Sequence, residues 1–313
     1  MPHDDGSAQK SAATPERRAG ERRAAERIPR TDRRASAERA HTLTGRFHIH
    51  RRFRSQFLEH DRSIIVFLPP DYESRRSKGL RYPVLYLHDG QNLFDRATSI
   101  GEEWEVDETA QSLIEAGVIE PLIIVGIYNT GAHRIDEYTP LRDDHVDAGG
   151  QADSYGRMLV QELKPFIDGR YRTLPGVANT GLGGSSLGGL VTLYLGLRYP
   201  TVFSKLAVVS PSVWWGGRFI VRDVEALARK VPLRIWLDAG TLEGDEVCKD
   251  ARLLRDALVA KGWVLGEDLA YTEVEGGEHN ERSWGARVDP ILRYLYPGAG
   301  TGDEGRGTRT DTG

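Results

Sequence analysis

Two adjacent serines, Ser185 and Ser186, lie between two pairs of glycines in the stretch GLGGSSLGGL of residues 181–190. Glycine serves backbone positions that need a positive φ angle or a very close approach, and it weakens ordinary helices and strands. The preceding residues GVANTGL predict a short buried strand, and the following LVTLYLGLRYP predicts a helix that ends at its Tyr-Pro pair. The chain is therefore expected to turn sharply from a strand into a helix at the second serine.

The spacing of these glycines matches the pattern Gly-x-Ser-x-Gly, in which a serine lies on a tight strand-to-helix turn. The match runs from Gly184 through Ser186 to Gly188, so Ser186 rather than Ser185 is the candidate nucleophile. A serine hydroxyl is a poor nucleophile until a base removes its proton. That base is commonly a histidine, which a carboxylate holds in the right orientation.

The chain order of the pattern then selects the base and the acid, because the acid follows the serine and the histidine comes last. Of the nine histidines only His279 follows Ser186, in the glycine-rich loop EGGEHNERSW after a predicted strand. The acid is expected after the predicted strand LRIWLDAG. Glu243 lies on the loop beyond that strand and is preferred, with Asp245 or Asp238 as the alternative acid.

An oxyanion that forms during acyl transfer needs two aimed N–H donors. One is expected from Leu187, the residue after the nucleophile, at the positive end of its helix. The other is expected from the loop HDGQNLFD after a buried strand, with Gln91 N–H as the first choice and Gly90 as the alternative. The acidic and histidine side chains of this loop are read as capping and turn residues, so no metal site is predicted.

Aromatic and charged residues near these loops are candidates for a substrate pocket. Trp104 and Trp214 could form its walls, although a buried tryptophan is equally a core residue. Arg134 and Tyr138 lie in the loop NTGAHRIDEYTP, where Arg134 could bind an anion. A structural ion pair between Arg134 and Glu137 is the preferred interpretation of that loop.

Nearly all-apolar runs of strand length alternate with amphipathic helical patterns along the chain. The runs lie at residues 84–88, 121–129, 205–211 and 233–240, and a last strand is predicted at residues 269–277. Strands that are apolar on both faces predict a mostly parallel sheet with helices on both sides. Leu159, Leu163, Phe166 and Ile167 mark one of the helices, which Pro165 is expected to bend or end. The sequence predicts one α/β domain.

The ends of the chain differ in composition from this domain. Residues 1–40 contain ten Lys or Arg and seven Asp or Glu, with almost no large apolar side chains. We expect a disordered, Arg-rich arm over residues 1–44, the catalytic domain over 45–297, and a flexible tail over 298–313. The glutamates interleaved in the arm weaken any case for nucleic-acid binding, which is not expected.

The overall composition excludes several classes of protein. A net charge of −4 gives no case for an anionic partner, and the single Cys248 excludes a disulfide framework and a cysteine-based zinc cluster. No run reaches the roughly 18 apolar residues of a membrane span, and the N-terminus lacks the apolar segment of a secretion signal. We expect a cytoplasmic protein that uses no cofactor and takes a small-molecule ester as substrate.

These motifs together resemble the putative-esterase family of α/β-hydrolases. That family contains enterochelin (ferric-siderophore) esterases, feruloyl and acetyl-xylan esterases, S-formylglutathione hydrolase and the mycolyltransferases. The resemblance covers about residues 45–297 and rests on YLHDGQNLFD, EEWEVDE, NTGAHRIDEYTP, LVQELKPFIDGRYRT, GGSSLGGL, SPSVWW, LDAGTLEGDE and GGEHNERSW. The siderophore-esterase-like branch is the most similar.

The resemblance implies the α/β-hydrolase fold, with Ser186 as nucleophile and His279 as base. Glu243 falls where relatives carry Asp in a G-x-x-D turn, and some siderophore esterases are thought to work with a Ser–His pair alone. The expected activity is hydrolysis of a carboxylic ester through an acyl-enzyme, with a siderophore, sugar-acyl or small ester as substrate. The alternatives are acyl transfer to an alcohol and a non-catalytic binding module of the same fold.

Overall fold

The structure, a computed structural model, describes residues 40–143 and 146–299. The predicted arm as far as residue 39 and the predicted tail from residue 300 lie outside the described residues. Residues 42–44, which precede the first strand, contact the domain. Thr42 Oγ1 donates to Glu103 Oε1 at 2.7 Å, and Thr44 N donates to Asp107 Oδ2 at 2.6 Å.

The strands of the described chain are β1 Arg46–Phe53, β2 Arg62–Leu68, β3 Val84–His88, β4 Ile123–Ile127, β5 Arg142–Asp143, β6 Ala148–Gly149, β7 Thr180–Ser185, β8 Lys205–Val209, β9 Arg234–Gly240 and β10 Leu269–Val274. Eight of them form one sheet in the order β1-β2-β4-β3-β7-β8-β9-β10. Within this sheet only the pairs β1/β2 and β2/β4 are antiparallel, and the neighbours from β4 to β10 are parallel. A two-residue pair, β5 and β6, forms a separate small hairpin.

Helices connect the parallel strands and cover the sheet. They are α1 Val106–Glu115, α2 Arg134–Tyr138, α3 Ala152–Arg157, α4 Lys164–Arg170, α5 Leu187–Arg198, α6 Trp215–Glu225, α7 Asp245–Ala260, α8 Glu281–Gly285 and α9 Val288–Leu295. None of the helices in the described residues has the length and apolar character that crossing a bilayer requires.

Both faces of the sheet are buried, as the apolar strand patterns predict. In β3, Val84 and Tyr86 pack into one hydrophobic cluster, whereas Leu85 and Leu87 pack into the other. Successive side chains of a strand point to opposite faces, so each cluster must lie on its own side of the sheet. The mostly parallel α/β architecture is confirmed.

Pro165 does not end its helix, so that part of the prediction is wrong. The chain stays helical from α3 to α4, with a π-helical segment over Met158–Leu163 that ends just before Lys164 and the proline. Proline removes a backbone donor and crowds the preceding turn. The wider π turn accommodates the proline within the continuous helix.

Helix α5 approaches the sheet closely through glycine. A Cβ on Gly189 would lie 2.8 Å from the carbonyl oxygen of Val209 in β8 and 3.2 Å from Cα of Pro211. Both neighbours belong to the backbone, so neither can turn aside as a flexible side chain would. This contact fixes the start of α5, and with it the preceding residue Ser186, against the end of β8.

We predict that Gly189→Ala destabilises the domain by about 1–3 kcal/mol, because the added methyl group forces the backbones apart. Gly169→Ala in α4 is the matched control, since nothing lies within 4 Å of its Cβ position. The control should be neutral or should stabilise by up to about 1 kcal/mol through helix propensity. Urea unfolding of both variants measures the difference, and equal free energies of unfolding would contradict this account of α5.

Candidate active site

Ser186 lies on the sharp turn between β7 and α5, with a backbone conformation of φ 58° and ψ −121°. A positive φ is strained for a residue with a side chain, and such strain persists only where the surroundings hold it. Ser186 N–H donates to Val209 O, and Ser186 O accepts from Ser212 N–H, each at 3.0 Å. The turn therefore presents the Ser186 side chain beyond the end of the strand.

The Ser186 hydroxyl faces an imidazole. Ser186 Oγ lies 3.0 Å from His279 Nε2, and His279 Nδ1 lies 2.8 Å from Glu243 Oε2. A second hydroxyl, Ser212 Oγ, is 3.2 Å from Ser186 Oγ. The result is a continuous chain of hydrogen bonds from a buried carboxylate through an imidazole to a serine.

Three loops at one edge of the sheet supply these side chains. Ser186 follows β7, Glu243 follows β9 and His279 follows β10. These strands belong to the parallel part of the sheet, so their carboxyl ends share one edge. The Glu243 side chain is 0% exposed and that of His279 is 38% exposed, so the carboxylate is enclosed while the imidazole remains open to solvent.

The other serine of the pair is oriented differently. Ser185 is the last residue of β7, and it is only 4% exposed. Its carbonyl oxygen accepts a long hydrogen bond of 3.5 Å from Arg134 Nη2. The imidazole of His279 lies against Ser186 and not against Ser185, in line with the Gly-x-Ser-x-Gly spacing.

The three candidate acids occupy distinct environments. Asp238 is fully buried in β9, where it contacts Arg287 and Trp236, and Asp245 is exposed at the start of α7. Only Glu243 hydrogen-bonds to His279. Burial raises the pKa of Glu243, but the hydrogen bonds that it accepts from His279, Ser210 and Arg287 outweigh this, and its pKa is lowered overall. Glu243 is therefore ionised at neutral pH.

The backbone groups predicted to bind an oxyanion follow two neighbouring strands, β7 and β3. Leu187 is the first residue of α5, so its N–H has no partner within the helix and lies at the positive end of the helix dipole. Gly90 and Gln91 begin a single 3₁₀ turn after β3, the strand next to β7. The Gln91 side chain is held by Asn129 N–H, which donates to Oε1 at 3.2 Å.

The preferred pairing of Arg134 with Glu137 is wrong. Arg134 forms a two-pronged ion pair with Asp89, through Nε to Oδ1 and Nη2 to Oδ2, both at 2.8 Å. Glu137 instead pairs with the fully buried Arg62 of β2. Residues three apart on a helix can pair with each other, but here Asp89 takes both prongs of Arg134, and Glu137 accepts both of its hydrogen bonds from Arg62.

The remaining pocket candidates divide between core and surface. Tyr138 is fully buried, and its hydroxyl accepts a hydrogen bond from Asp89 N at 3.3 Å. Trp104 is buried against Trp284 with ring centroids 6.0 Å apart, whereas Trp214 is 53% exposed. Of these candidates, Trp214 alone combines a large apolar surface with solvent access.

Sequence reasoning missed two side chains that contact Ser186 or His279. One is Ser212, which packs its hydroxyl against Ser186 Oγ. The other is Trp284, whose ring meets the His279 ring edge to face at a centroid distance of 4.8 Å and an angle of 82°. The short distance along the chain from His279 to Trp284 was a usable signal. Ser212 lies in the stretch SPSVWW, but nothing in the sequence indicates that its hydroxyl meets Ser186.

The described residues contain no group of three or more His, Cys, Asp or Glu side chains arranged to hold a metal ion. The polar groups around Ser186 instead form hydrogen bonds and ion pairs with one another. The chemistry available from these residues is proton transfer and nucleophilic attack by a hydroxyl.

Comparisons with known proteins identify the family of this chain. A family model described as "Putative esterase" matches residues 55–295. The uncharacterized protein YbbA of Bacillus subtilis is 26% identical over 249 residues, which cover 75% of this chain and 93% of YbbA. The ferri-bacillibactin esterase BesA of Bacillus subtilis is 30% identical over 182 residues, which cover 52% of this chain and 60% of BesA.

The fold also matches solved structures. The crystal structure of the BES protein from Bacillus cereus aligns with a TM-score of 0.65 at 22% identity, covering 83% of this chain and 98% of that chain. At such identity the likeness establishes the fold alone, whereas the family model spans well over half of the chain. The chain belongs to the Putative esterase family, has the α/β-hydrolase fold and is an esterase that acts on carboxylic esters.

Proposed function

We propose that this esterase is a serine carboxylesterase that works through an acyl-enzyme. Ser186 is the nucleophile, His279 the general base and Glu243 the carboxylate that orients the imidazole. The observation that carries the proposal is the unbroken hydrogen-bond chain from Glu243 Oε2 through His279 to Ser186 Oγ, with links of 2.8 and 3.0 Å. Both distances are within reach for direct proton transfer.

In the first half-reaction Ser186 Oγ attacks the ester carbonyl carbon while His279 Nε2 takes the hydroxyl proton. The imidazolium that forms is stabilised by the ionised Glu243, which also fixes the tautomer with the proton on Nδ1. When the tetrahedral intermediate collapses, His279 gives its proton to the leaving alcohol. The acyl group remains on Ser186 as an ester.

Negative charge develops on the carbonyl oxygen during this step, and we assign its stabilisation to two backbone N–H groups. Leu187 N–H is aligned with the dipole of α5, and Gln91 N–H lies in the 3₁₀ turn after β3. Gly90 N–H is the alternative second donor. Removal of one such donor typically costs about 3 kcal/mol of transition-state stabilisation.

In the second half-reaction a water molecule takes the place of the alcohol. His279 removes a proton from the water, the hydroxide attacks the acyl carbonyl, and Ser186 leaves with the proton that His279 returns. The partial exposure of His279 supports this step, because water can reach Nε2 without displacing the buried Glu243. The cycle needs only protein groups and water.

A siderophore ester is our first candidate for the substrate, because BesA is by name an esterase of ferri-bacillibactin. Sugar-acyl esters and small carboxylic esters are the next candidates. Purified enzyme should be assayed on representatives of the three classes, with and without an added alcohol acceptor. Preferred hydrolysis of siderophore esters is expected, and transfer of the acyl group to the alcohol as the main product would favour an acyltransferase.

We predict that Ser186→Ala abolishes hydrolysis of p-nitrophenyl acetate and butyrate, because the nucleophile is removed. Ser185→Ala, next to it in the sequence, is the matched control and should retain activity, since the Ser185 side chain does not meet the imidazole. Initial rates of the two folded variants measure the difference. If Ser186→Ala were as active as the wild type, the serine mechanism would be wrong.

The acid is tested by a second pair of variants. Glu243→Gln should lower kcat by about 10²–10⁴-fold, because the amide no longer stabilises the imidazolium or enforces its tautomer. Asp245→Asn, two residues further along, should stay within about two-fold of the wild type, since it is exposed at the start of α7. A large loss in Asp245→Asn with none in Glu243→Gln would reassign the acid.

A further inference from the structure

A buried polar group lies behind Glu243, on the side away from His279. We call Ser210, Asp238 and Arg287 the support cluster. Asp238 and Glu243 have side chains that are 0% exposed, and that of Arg287 is 2% exposed. Burial of charged groups to this extent costs free energy unless every one is paired. How these groups pair therefore affects the charge that Glu243 presents to His279.

Ser210 is the centre of the support cluster. Its hydroxyl accepts from Arg287 Nη1 at 2.7 Å and from Trp284 Nε1 at 3.2 Å, and it donates to Glu243 Oε1 at 2.6 Å. Arginine and indole N–H groups can only donate, and an ionised carboxylate can only accept. The Ser210 proton is therefore directed at Glu243, whose other oxygen binds His279.

Arg287 bridges the two carboxylates. Its Nη1 donates to Asp238 Oδ1 at 2.8 Å, and its Nη2 donates to Glu243 Oε1 at 3.0 Å. Asp238 is further held by Trp236 Nε1 at 2.7 Å and by the Ser210 N–H at 3.1 Å. One guanidinium is thus shared between the carboxylate that meets the imidazole and one that does not.

The charges of these groups do not cancel while the imidazole is neutral. Two carboxylates and one guanidinium leave one negative charge in a site closed to water, and protonation of His279 brings the sum to zero. If Asp238 were absent, Arg287 would already neutralise Glu243, and an imidazolium would bring a surplus positive charge. The second carboxylate therefore favours the protonated state that His279 must reach during the reaction.

We propose that Asp238 is the counterion of Arg287 and so leaves the negative charge of Glu243 available to the imidazolium of His279. Asp238, Arg287 and Ser210 act through Glu243 and are positioning residues. The inference rests on the proposed function, because it concerns the basicity of the same imidazole. It assigns a role to the alternative acid of the sequence analysis, which touches neither His279 nor Ser186.

The other charged groups near His279 are the same whether or not Asp238 carries its charge. Glu281 on α8 acts on His279 through space, and Arg134 and Asp89 act on Glu281. Burial raises the pKa of Asp238. Arg287, Trp236 and the Ser210 N–H lower it, but by less, so the pKa of Asp238 is raised overall. Arg287 thus helps to keep Asp238 ionised, while Asp238 offsets the charge of Arg287.

The test is the pH dependence of kcat/KM for p-nitrophenyl butyrate, whose acidic limb reports ionisation of the catalytic base in the free enzyme. Asp238→Asn removes a negative charge, so its acidic limb should move to lower pH by about half to one unit. Its plateau should also fall several-fold, because the base is weaker. Arg287→Gln removes a positive charge, so its limb should move to higher pH.

The double variant Arg287→Gln with Asp238→Asn removes one charge of each sign. Its limb should return to within about 0.3 unit of the wild type, because the imidazole again faces one net negative charge. A purely structural role predicts losses that accumulate, with no opposite shifts that cancel. The double variant also keeps the test valid if Arg287→Gln alone, with two unneutralised buried carboxylates, does not fold.

Asp250→Asn is the matched control, since Asp250 is also a buried carboxylate paired with an arginine, Arg218, and lies on α7 away from the imidazole. Its acidic limb should coincide with that of the wild type. The inference is overturned if folded Asp238→Asn keeps the wild-type limb or moves it upward, or if the double variant fails to restore it. The proposed function fails separately, through an active Ser186→Ala.

Discussion

The strained backbone of Ser186 is the constraint on which the rest of the site depends. Its φ of 58° turns the chain from β7 into α5 within one residue, and only this turn lifts the hydroxyl clear of the sheet. Hydrogen bonds to Val209 and Ser212 hold the strained residue from both sides. Gly189 lets α5 lie against the end of β8, so the glycines around the serines serve packing as much as turning.

The turn at Ser186 requires that Glu243 and His279 lie at the same edge of the sheet. The parallel strands place them there, because the carboxyl ends of parallel strands share one edge. Glu243 and His279 follow β9 and β10, two and three strands away from β7 in the sheet order. The Glu243 carboxylate is buried, whereas the His279 imidazole in front of it is partly exposed to solvent. In our account, the support cluster of Ser210, Asp238 and Arg287 sets how strongly that buried charge acts on the imidazole.

How much of this could be predicted depends on the distance along the chain over which each feature is determined. The turn at Ser186 is predicted by the five consecutive residues 184–188, and the order of residues along the chain selects His279 as the partner of Ser186. Both follow from local patterns. The pairing of Arg134 with Asp89 and of Arg287 with Asp238 joins residues that are 45 and 49 positions apart. Local sequence spacing cannot predict these two ion pairs, because they depend on how α2 and α9 pack against the rest of the domain.

We propose that Ser186 alone carries the acyl group, and covalent trapping of the nucleophile would identify the residue that does. The enzyme should be treated with a fluorophosphonate, digested, and the modified peptide sequenced by mass spectrometry. A single adduct on Ser186 is expected, with none on Ser185 or Ser212, and with slower formation when Glu243 is replaced. An adduct on another residue, or an active enzyme that forms none, would show that Ser186 is not the nucleophile.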